Sequence, residues 1–125
     1  MKNKKILAGV GCLCILAISV LSSCNGSENP LLQGDREKTV EFLIVASIKA
    51  EKEVKIFQKS IAGSYYGECA QGKGLAVVCD EIFKTILEEC KKTKAYESIT
   101  LKDLKDKRAF ERLEKTYNKI LREKY

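Results

Sequence analysis

Residues 75–95 read LAVVCDEIFKTILEECKKTKA, and this stretch decides the fold. Its apolar residues recur every three or four positions, which predicts one apolar face on an α-helix. Glu88 and Lys92 stand four positions apart in the favourable order, and the basic end suits the helix dipole. The predicted apolar face contains Leu75, Val78, Cys79, Ile82, Phe83, Ile86, Leu87 and Cys90. We therefore expect a helix that packs against other helices.

Upstream, the same periodicity predicts a helix over residues 36–62, with Asp35 as its N-cap. Residues 42–46 (FLIVA) would also suit a strand, but a run of more than twenty residues without a turn signal is too long for one. Glu51 and Lys55 are expected on the outer face. The predicted inner face contains Val40, Leu43, Ile44, Ser47, Ile48, Val54, Phe57 and Ile61.

Downstream, Thr100 and Asp103 have the spacing of a capping box and predict a third helix over residues 101–123. Its basic residues outnumber its acidic ones. The interleaved signs favour a solvated outer face, although a basic amphipathic helix also suits anionic lipid or a protein partner. The possible interaction surface on or near this helix comprises Lys105, Arg108, Arg112 and Lys119. Its apolar face contains Leu101, Leu104, Phe110, Leu113, Tyr117, Ile120 and Leu121.

Residues 63–74 (GSYYGECAQGKG) hold half of the glycines in the chain and are predicted to be the main loop. Tyr65 and Tyr66 on this loop either cover the end of the helices, which we favour, or form an exposed contact patch. The sequence of residues 67–74 also nearly matches the pattern of a phosphate-binding loop. However, Gly74 replaces the hydroxyl residue that such a loop needs, so no nucleotide and no other cofactor is expected.

Three amphipathic segments with short connections predict an all-α domain over residues 35–125, an antiparallel three-helix bundle that is a monomer or a weak dimer. The alternative is a longer first helix with a loosely attached third one. Residues 24–34 contain the one proline and are predicted to be a flexible tether.

Residues 1–24 begin with three lysines, continue through an apolar run and end in Leu21-Ser22-Ser23-Cys24. This pattern is typical of an export signal. It resembles the bacterial lipoprotein signal, which implies that residues 1–23 are removed and that Cys24 is acylated on its sulfur and on its new N-terminus. Cys12 and Cys14 lack a matching motif. The alternative, an uncleaved transmembrane anchor, is disfavoured because the sixteen-residue apolar run is shorter than the ~20 residues that span a bilayer.

The formal charge of +6 includes the three lysines of the signal, so the remaining 20 basic and 17 acidic residues leave about +3. Nucleic-acid binding is not expected. The chain has no His and no Trp, which removes the commonest catalytic base and metal ligand. The loop residues Tyr65, Tyr66, Glu68 and Lys73 are the only polar cluster that we considered for catalysis, and we expect no enzyme and no metal site.

Three cysteines remain for the domain: Cys69, Cys79 and Cys90. Cys79 and Cys90 would lie about 16 Å apart on one helix, too far for a disulfide. We favour a Cys69–Cys79 pair, which leaves Cys90 as a small buried residue. A Cys69–Cys90 pair and three free thiols are the alternatives.

A small Lys-rich helical domain on a short tether resembles the surface lipoproteins of Borrelia-type spirochaetes. The resemblance implies a non-catalytic, lipid-anchored protein on the outer membrane that is exposed at the cell surface and binds another protein. The alternative is a periplasm-facing lipoprotein that supports an envelope assembly or inhibits an envelope enzyme.

Overall fold

The computed structural model describes residues 28–55 and 61–125. Within these ranges all the regular structure is helical, and the predicted all-α bundle is confirmed. The α-helices are α1 (Arg36–Val54), α2 (Tyr65–Ala70), α3 (Ala76–Lys92), α4 (Leu101–Leu104) and α5 (Lys107–Lys124), with 3-10 helices at Pro30–Leu32 and Lys94–Tyr96. No helix in the described ranges is long and apolar enough to cross a membrane.

Helix α1 is central to the bundle because it packs against both α3 and α5. It runs antiparallel to α3. Near the end of α1, Glu53 accepts a hydrogen bond from Thr85, whereas near its start the ring of Phe42 stacks on Tyr96, which follows α3, with the centroids 4.4 Å apart. The N-terminus of α1 is capped as predicted, since Asp35 Oδ1 accepts from the N–H groups of the first turn.

The glycine-rich segment is not the simple loop that the sequence predicts, because it contains α2. This six-residue helix packs against α1, α3 and α5. Gly67 lies inside it, and a Cβ there would approach the Phe110 ring to 2.9 Å. Gly67 is therefore needed for close packing between α2 and α5, a role that the sequence does not distinguish from that of a turn glycine.

The predicted first helix is too long. Helix α1 ends at Val54, and Lys55 adopts a left-handed conformation with φ of 54°. The reason is a contact between Glu51 and Gly63: a carboxylate oxygen of Glu51 lies 3.0 Å from the amide nitrogen of Gly63. A continuous helix to Ala62 would place these residues about 18 Å apart. One continuous helix over residues 36–62 is therefore excluded.

The predicted third helix is interrupted. The capping box of Thr100 and Asp103 is present and starts α4, but α4 ends after one turn and Asp106 caps a new helix, α5, by accepting from the N–H of Ala109 at 3.1 Å. The second predicted helix also ends early, at Lys92 rather than residue 95. The backbone of Thr93 is extended rather than helical, and its hydroxyl donates to the carbonyl of Glu89 at 3.0 Å.

Part of the predicted tether belongs to the folded domain. Leu31 is buried in the core and Asn29 is also buried. The Asn29 side chain accepts from the N–H of Leu31 at 2.8 Å and donates to the carbonyl of Asp103 at 2.9 Å and to a carboxylate oxygen of Asp106 at 3.3 Å. The segment from Asn29 onward is therefore fixed at the corner between α4 and α5.

Candidate functional site

Glu51 anchors α2 to α1, contrary to the expectation that it lies on the outer face. It is 8% exposed. Its carboxylate accepts from the N–H groups of Gly63 and Tyr65, both at 3.0 Å, and from the hydroxyl of Ser47 at 3.0 Å. Because Ser64 makes no side-chain cap, the carboxylate from another helix satisfies amides at the start of α2.

Tyr66 forms the centre of the core and is not available to a partner, so its prediction as part of an interaction surface is wrong. It is fully buried and lies against the rings of Phe83, Phe110 and Tyr117. Its hydroxyl donates to the carbonyl of Leu104 at 2.9 Å. Burial raises the pKa of Tyr66 well above the ordinary value, so the phenol stays neutral.

A second buried phenol, Tyr117, donates to the carbonyl of Gly63 at 2.5 Å and so joins α5 to the turn before α2. Burial also raises its pKa well above the ordinary value. Tyr66 and Tyr117 together satisfy the backbone carbonyls of Leu104 and Gly63. Both hydroxyls hold the bundle together and neither faces solvent.

The cysteines adopt the pairing that the sequence favours. The Sγ atoms of Cys69 and Cys79 lie 2.10 Å apart and form a disulfide between α2 and α3. Cys90 is a free thiol within the described residues and is fully buried. Burial, with a smaller contribution from Glu89, raises the pKa of Cys90 to about 11. Cys90 therefore has neither the exposure nor the thiolate character of a reactive cysteine.

The candidate catalytic residues of the loop do not form a shared polar site. Tyr66 points into the core, whereas Tyr65 is half-buried and its hydroxyl accepts from the N–H of Leu75 at 3.3 Å. Glu68 and Lys73 are exposed. Tyr65 therefore closes the turn between α2 and α3, which agrees with the favoured packing role for the tyrosines rather than with an exposed patch.

An apolar groove of about 250 Å³ lies between α3 and α4. Phe83 is buried beneath it, Leu87 is half-buried, and Leu101 is 41% exposed. Lys105 borders the groove with its Nζ 5.7 Å from the centroid of the Phe83 ring. The complete lining is Asp80, Phe83, Lys84, Leu87, Leu101 and Lys105.

The sequence assigned the three apolar groove residues to the core. Their spacing is correct for a buried stripe, but α4 is a separate one-turn helix and leaves Leu101 beside α3 rather than inside the bundle. Leu75, also predicted to be buried, precedes α3 and is 68% exposed. Val77, which is 73% exposed, extends the apolar surface one turn from Asp80 along the same side of α3.

The predicted basic residues are divided between two surfaces. Lys105 borders the groove, whereas Arg108, Arg112 and Lys119 lie on the exposed side of α5. Lys119 Nζ is 3.7 Å from a carboxylate oxygen of Glu37 on α1, and both side chains are largely exposed. Such an exposed pair contributes little to stability, so the lysine keeps its capacity to contact other anions.

Cys24, the predicted lipidation site, lies outside the described residues. In those ranges no group of three or more acidic or cysteine side chains is arranged to hold a metal ion. Comparisons of the chain with protein-family models, with curated proteins and with solved structures found no match.

Proposed function

We propose that this protein is a non-catalytic lipoprotein of the bacterial cell envelope that presents a small helical bundle to a protein partner. The observation that carries the proposal is the sequence Leu21-Ser22-Ser23-Cys24 at the end of a basic and then apolar segment. In this proposal the acyl chains on Cys24 hold the bundle at the outer membrane, and the bundle faces the cell exterior.

The Cys69–Cys79 disulfide supports export. Disulfides persist in oxidising compartments such as the periplasm and the cell surface and are rare in the cytosol. A domain of about one hundred residues also has a modest core, and a covalent link between α2 and α3 stabilises it.

A binding role is favoured over catalysis because both tyrosine hydroxyls of the glycine-rich segment already have structural partners. The Tyr66 hydroxyl is bonded to Leu104, and the Glu51 carboxylate is bonded to the amides before and within α2. These groups rigidify the bundle. A rigid bundle carries the groove between α3 and α4 in a fixed shape, which lowers the entropy cost of binding a partner.

The groove suits a partner segment with one apolar side chain and nearby acidic residues. The apolar side chain would cover Phe83 and Leu101, and the acidic residues would face Lys84 and Lys105 on the rim. Asp80 on the same rim would disfavour a partner with an acid at that position. This combination of an apolar base and a charged rim is typical of specific protein contacts.

Metabolic labelling with a fatty acid tests the anchor. We expect label on the wild type and on Cys14→Ala, a matched control in the same segment outside the motif, and no label on Cys24→Ala. Equal labelling of Cys24→Ala would contradict the proposal. Protease treatment of intact cells then tests the orientation, since loss of the protein before lysis supports surface exposure and survival until lysis supports the periplasmic alternative.

Site-specific photocrosslinking in cells tests the groove. A photoreactive residue at position 101 should give a crosslinked product that is lost when Lys84 and Lys105 are both changed to Glu. The control position is Val45 on α1, which is 54% exposed. The same product from both positions, or a product that survives the charge reversal, would show that the groove is not the contact surface.

A further inference from the structure

The outer side of α5 carries an unbroken row of cations, which we call the basic stripe: Arg108, Arg112, Lys115, Lys119 and Arg122. Their spacings of four, three, four and three residues keep them within an arc of about 80° and over a length of about 21 Å. All five are exposed. The buried residues of α5, among them Leu113 and Tyr117, lie on the opposite side of the helix.

The segment that follows the proposed lipid anchor joins the domain at Asn29, beside the end of α5 where the basic stripe begins. Asn29 is hydrogen-bonded to Asp106, the N-cap of α5, and Arg108 follows two residues later. Five residue steps separate Cys24 from Asn29, so the chain between them spans at most about 18 Å. An acylated Cys24 therefore keeps the start of the stripe close to the membrane surface.

We propose that the basic stripe lies on anionic phospholipid headgroups of the membrane that holds the anchor, so that α5 is parallel to the bilayer surface. This inference rests on the proposed lipid anchor and specifies the orientation of the anchored domain. The anchor brings the stripe within reach of the headgroups, and the row of five cations matches a surface of phosphate groups.

The acidic residues near the stripe leave it positive. Glu111 and Glu123 lie about 60° to either side of its centre line, and Glu114 lies further round and is half-buried. From α1, Glu37 contacts Lys119, and Glu41 contacts Lys124, which is outside the stripe. The contact of Lys119 with Glu37 joins largely exposed side chains, so headgroup phosphates can compete for this lysine. Glu41 is half-buried and its partner Lys124 does not belong to the stripe.

Lysine acetylation on reconstituted protein provides the test. The acylated mature protein, which begins at Cys24, is placed in nanodiscs of phosphatidylcholine with or without phosphatidylglycerol, and the acetylation rates of Lys115 and Lys119 are measured by mass spectrometry. We expect acetylation of both to slow several-fold in the anionic discs. The rates of Lys91 and Lys94, which lie at and beyond the end of α3, should not change. High salt should abolish the difference, because the Debye length falls to about 3 Å at 1 M.

The double variant R108Q/R112Q removes two cations without altering the lysines that are measured. Each basic residue at an anionic surface contributes about fivefold to binding, so docking should weaken about 25-fold. The control variant K91Q/K94Q has the same net charge and should dock normally.

Equal acetylation of Lys115 and Lys119 in the two kinds of disc would overturn the proposal and leave an acidic protein as the partner of the stripe. Equal effects of the two double variants would also overturn it. Failure of the lipid anchor is separate, since the protein would then be absent from the neutral discs as well.

Discussion

Replacing Glu51 with Ala should destabilise the bundle by about 2–4 kcal/mol. The substitution removes the acceptor of the N–H groups of Gly63 and Tyr65 and of the Ser47 hydroxyl. The hydroxyl can rotate toward a carbonyl of its own helix and is assigned no cost. A buried polar group without a partner costs about 1–3 kcal/mol. The amide of Gly63 is buried, so its lost hydrogen bond is assigned the whole range, about 1–3 kcal/mol. The amide of Tyr65 is half-buried and is assigned about 1 kcal/mol. The sum is a large share of the 5–15 kcal/mol that typically stabilises a domain.

Denaturant unfolding followed by circular dichroism measures this free energy, and Glu53→Ala is the matched control. Glu53 lies two residues away on α1, is exposed, and accepts one hydrogen bond, from Thr85. Its loss should cost about 0.5–1.5 kcal/mol. Hydrogen exchange adds a local readout, since the amides of Gly63 and Tyr65 should lose protection only in Glu51→Ala. If the two variants are equally stable and these amides stay protected, the carboxylate does not hold α2.

Four further outcomes are expected. Leu31→Ala should lower the free energy of unfolding by about 2–5 kcal/mol because Leu31 is 1% exposed. The control Gln33→Ala should leave it unchanged, and equal effects of the two variants would mean that residues 29–32 are a free tether. Changing Cys69 and Cys79 together to Ser should lower the free energy of unfolding by about 2–3 kcal/mol. Peptide mapping of the wild type without reduction should recover the two cysteines as a linked pair. Cys90 should resist alkylation until the protein unfolds, because it is buried and its pKa is raised to about 11. Finally, folding raises the pKa values of Tyr66 and Tyr117, so the stability that their neutral phenols contribute is complete below about pH 10 and falls as the pH rises beyond it. Tyr66→Phe should lose less of its unfolding free energy over this range, and a pH profile identical to that of the wild type would contradict a raised pKa of Tyr66.

The elements that depend on local signals could be predicted from the sequence. Apolar spacing locates α1, α3 and α5, and the Asp35 cap and the Thr100–Asp103 capping box start helices where expected. The length of α3 excludes a Cys79–Cys90 pair, because a helix keeps these two residues apart. The choice of Cys69–Cys79 over Cys69–Cys90 was favoured by the sequence but comes from the structure. These features need no knowledge of how the helices are arranged around one another.

The features that the sequence analysis missed depend on contacts between distant residues. Glu51 has the periodicity of an outer-face residue, and only the position of Gly63, twelve residues later, makes it a buried acceptor. Likewise, Asn29 and Leu31 lie in a segment with the composition of a linker, yet their partners are about seventy residues away or in the core. Propensity and spacing carry no information about such pairs.

The groove was missed for a related reason. Leu101 has the correct position for the apolar stripe of one long helix, but Asp106 ends that helix and begins another. The second cap could have been recognised, since Asp106 stands three residues before Ala109 in the spacing of an N-cap. The direction of α4 relative to α3, which exposes Leu101, follows from packing and not from the cap.

The position of α2 also sets the order in which the chain can fold during the export that we propose. The backbone N–H of Tyr66 donates to the side chain of Ser47, which precedes it in the chain. The Tyr66 hydroxyl, however, donates to the carbonyl of Leu104, and the carbonyl of Gly63 accepts from Tyr117, 54 residues later. A chain that crosses the membrane N-terminus first therefore cannot complete its core until most of α5 has crossed. The Cys69–Cys79 disulfide spans only 10 residues and has no such requirement, so it can form during translocation and join α2 to α3 before α5 arrives.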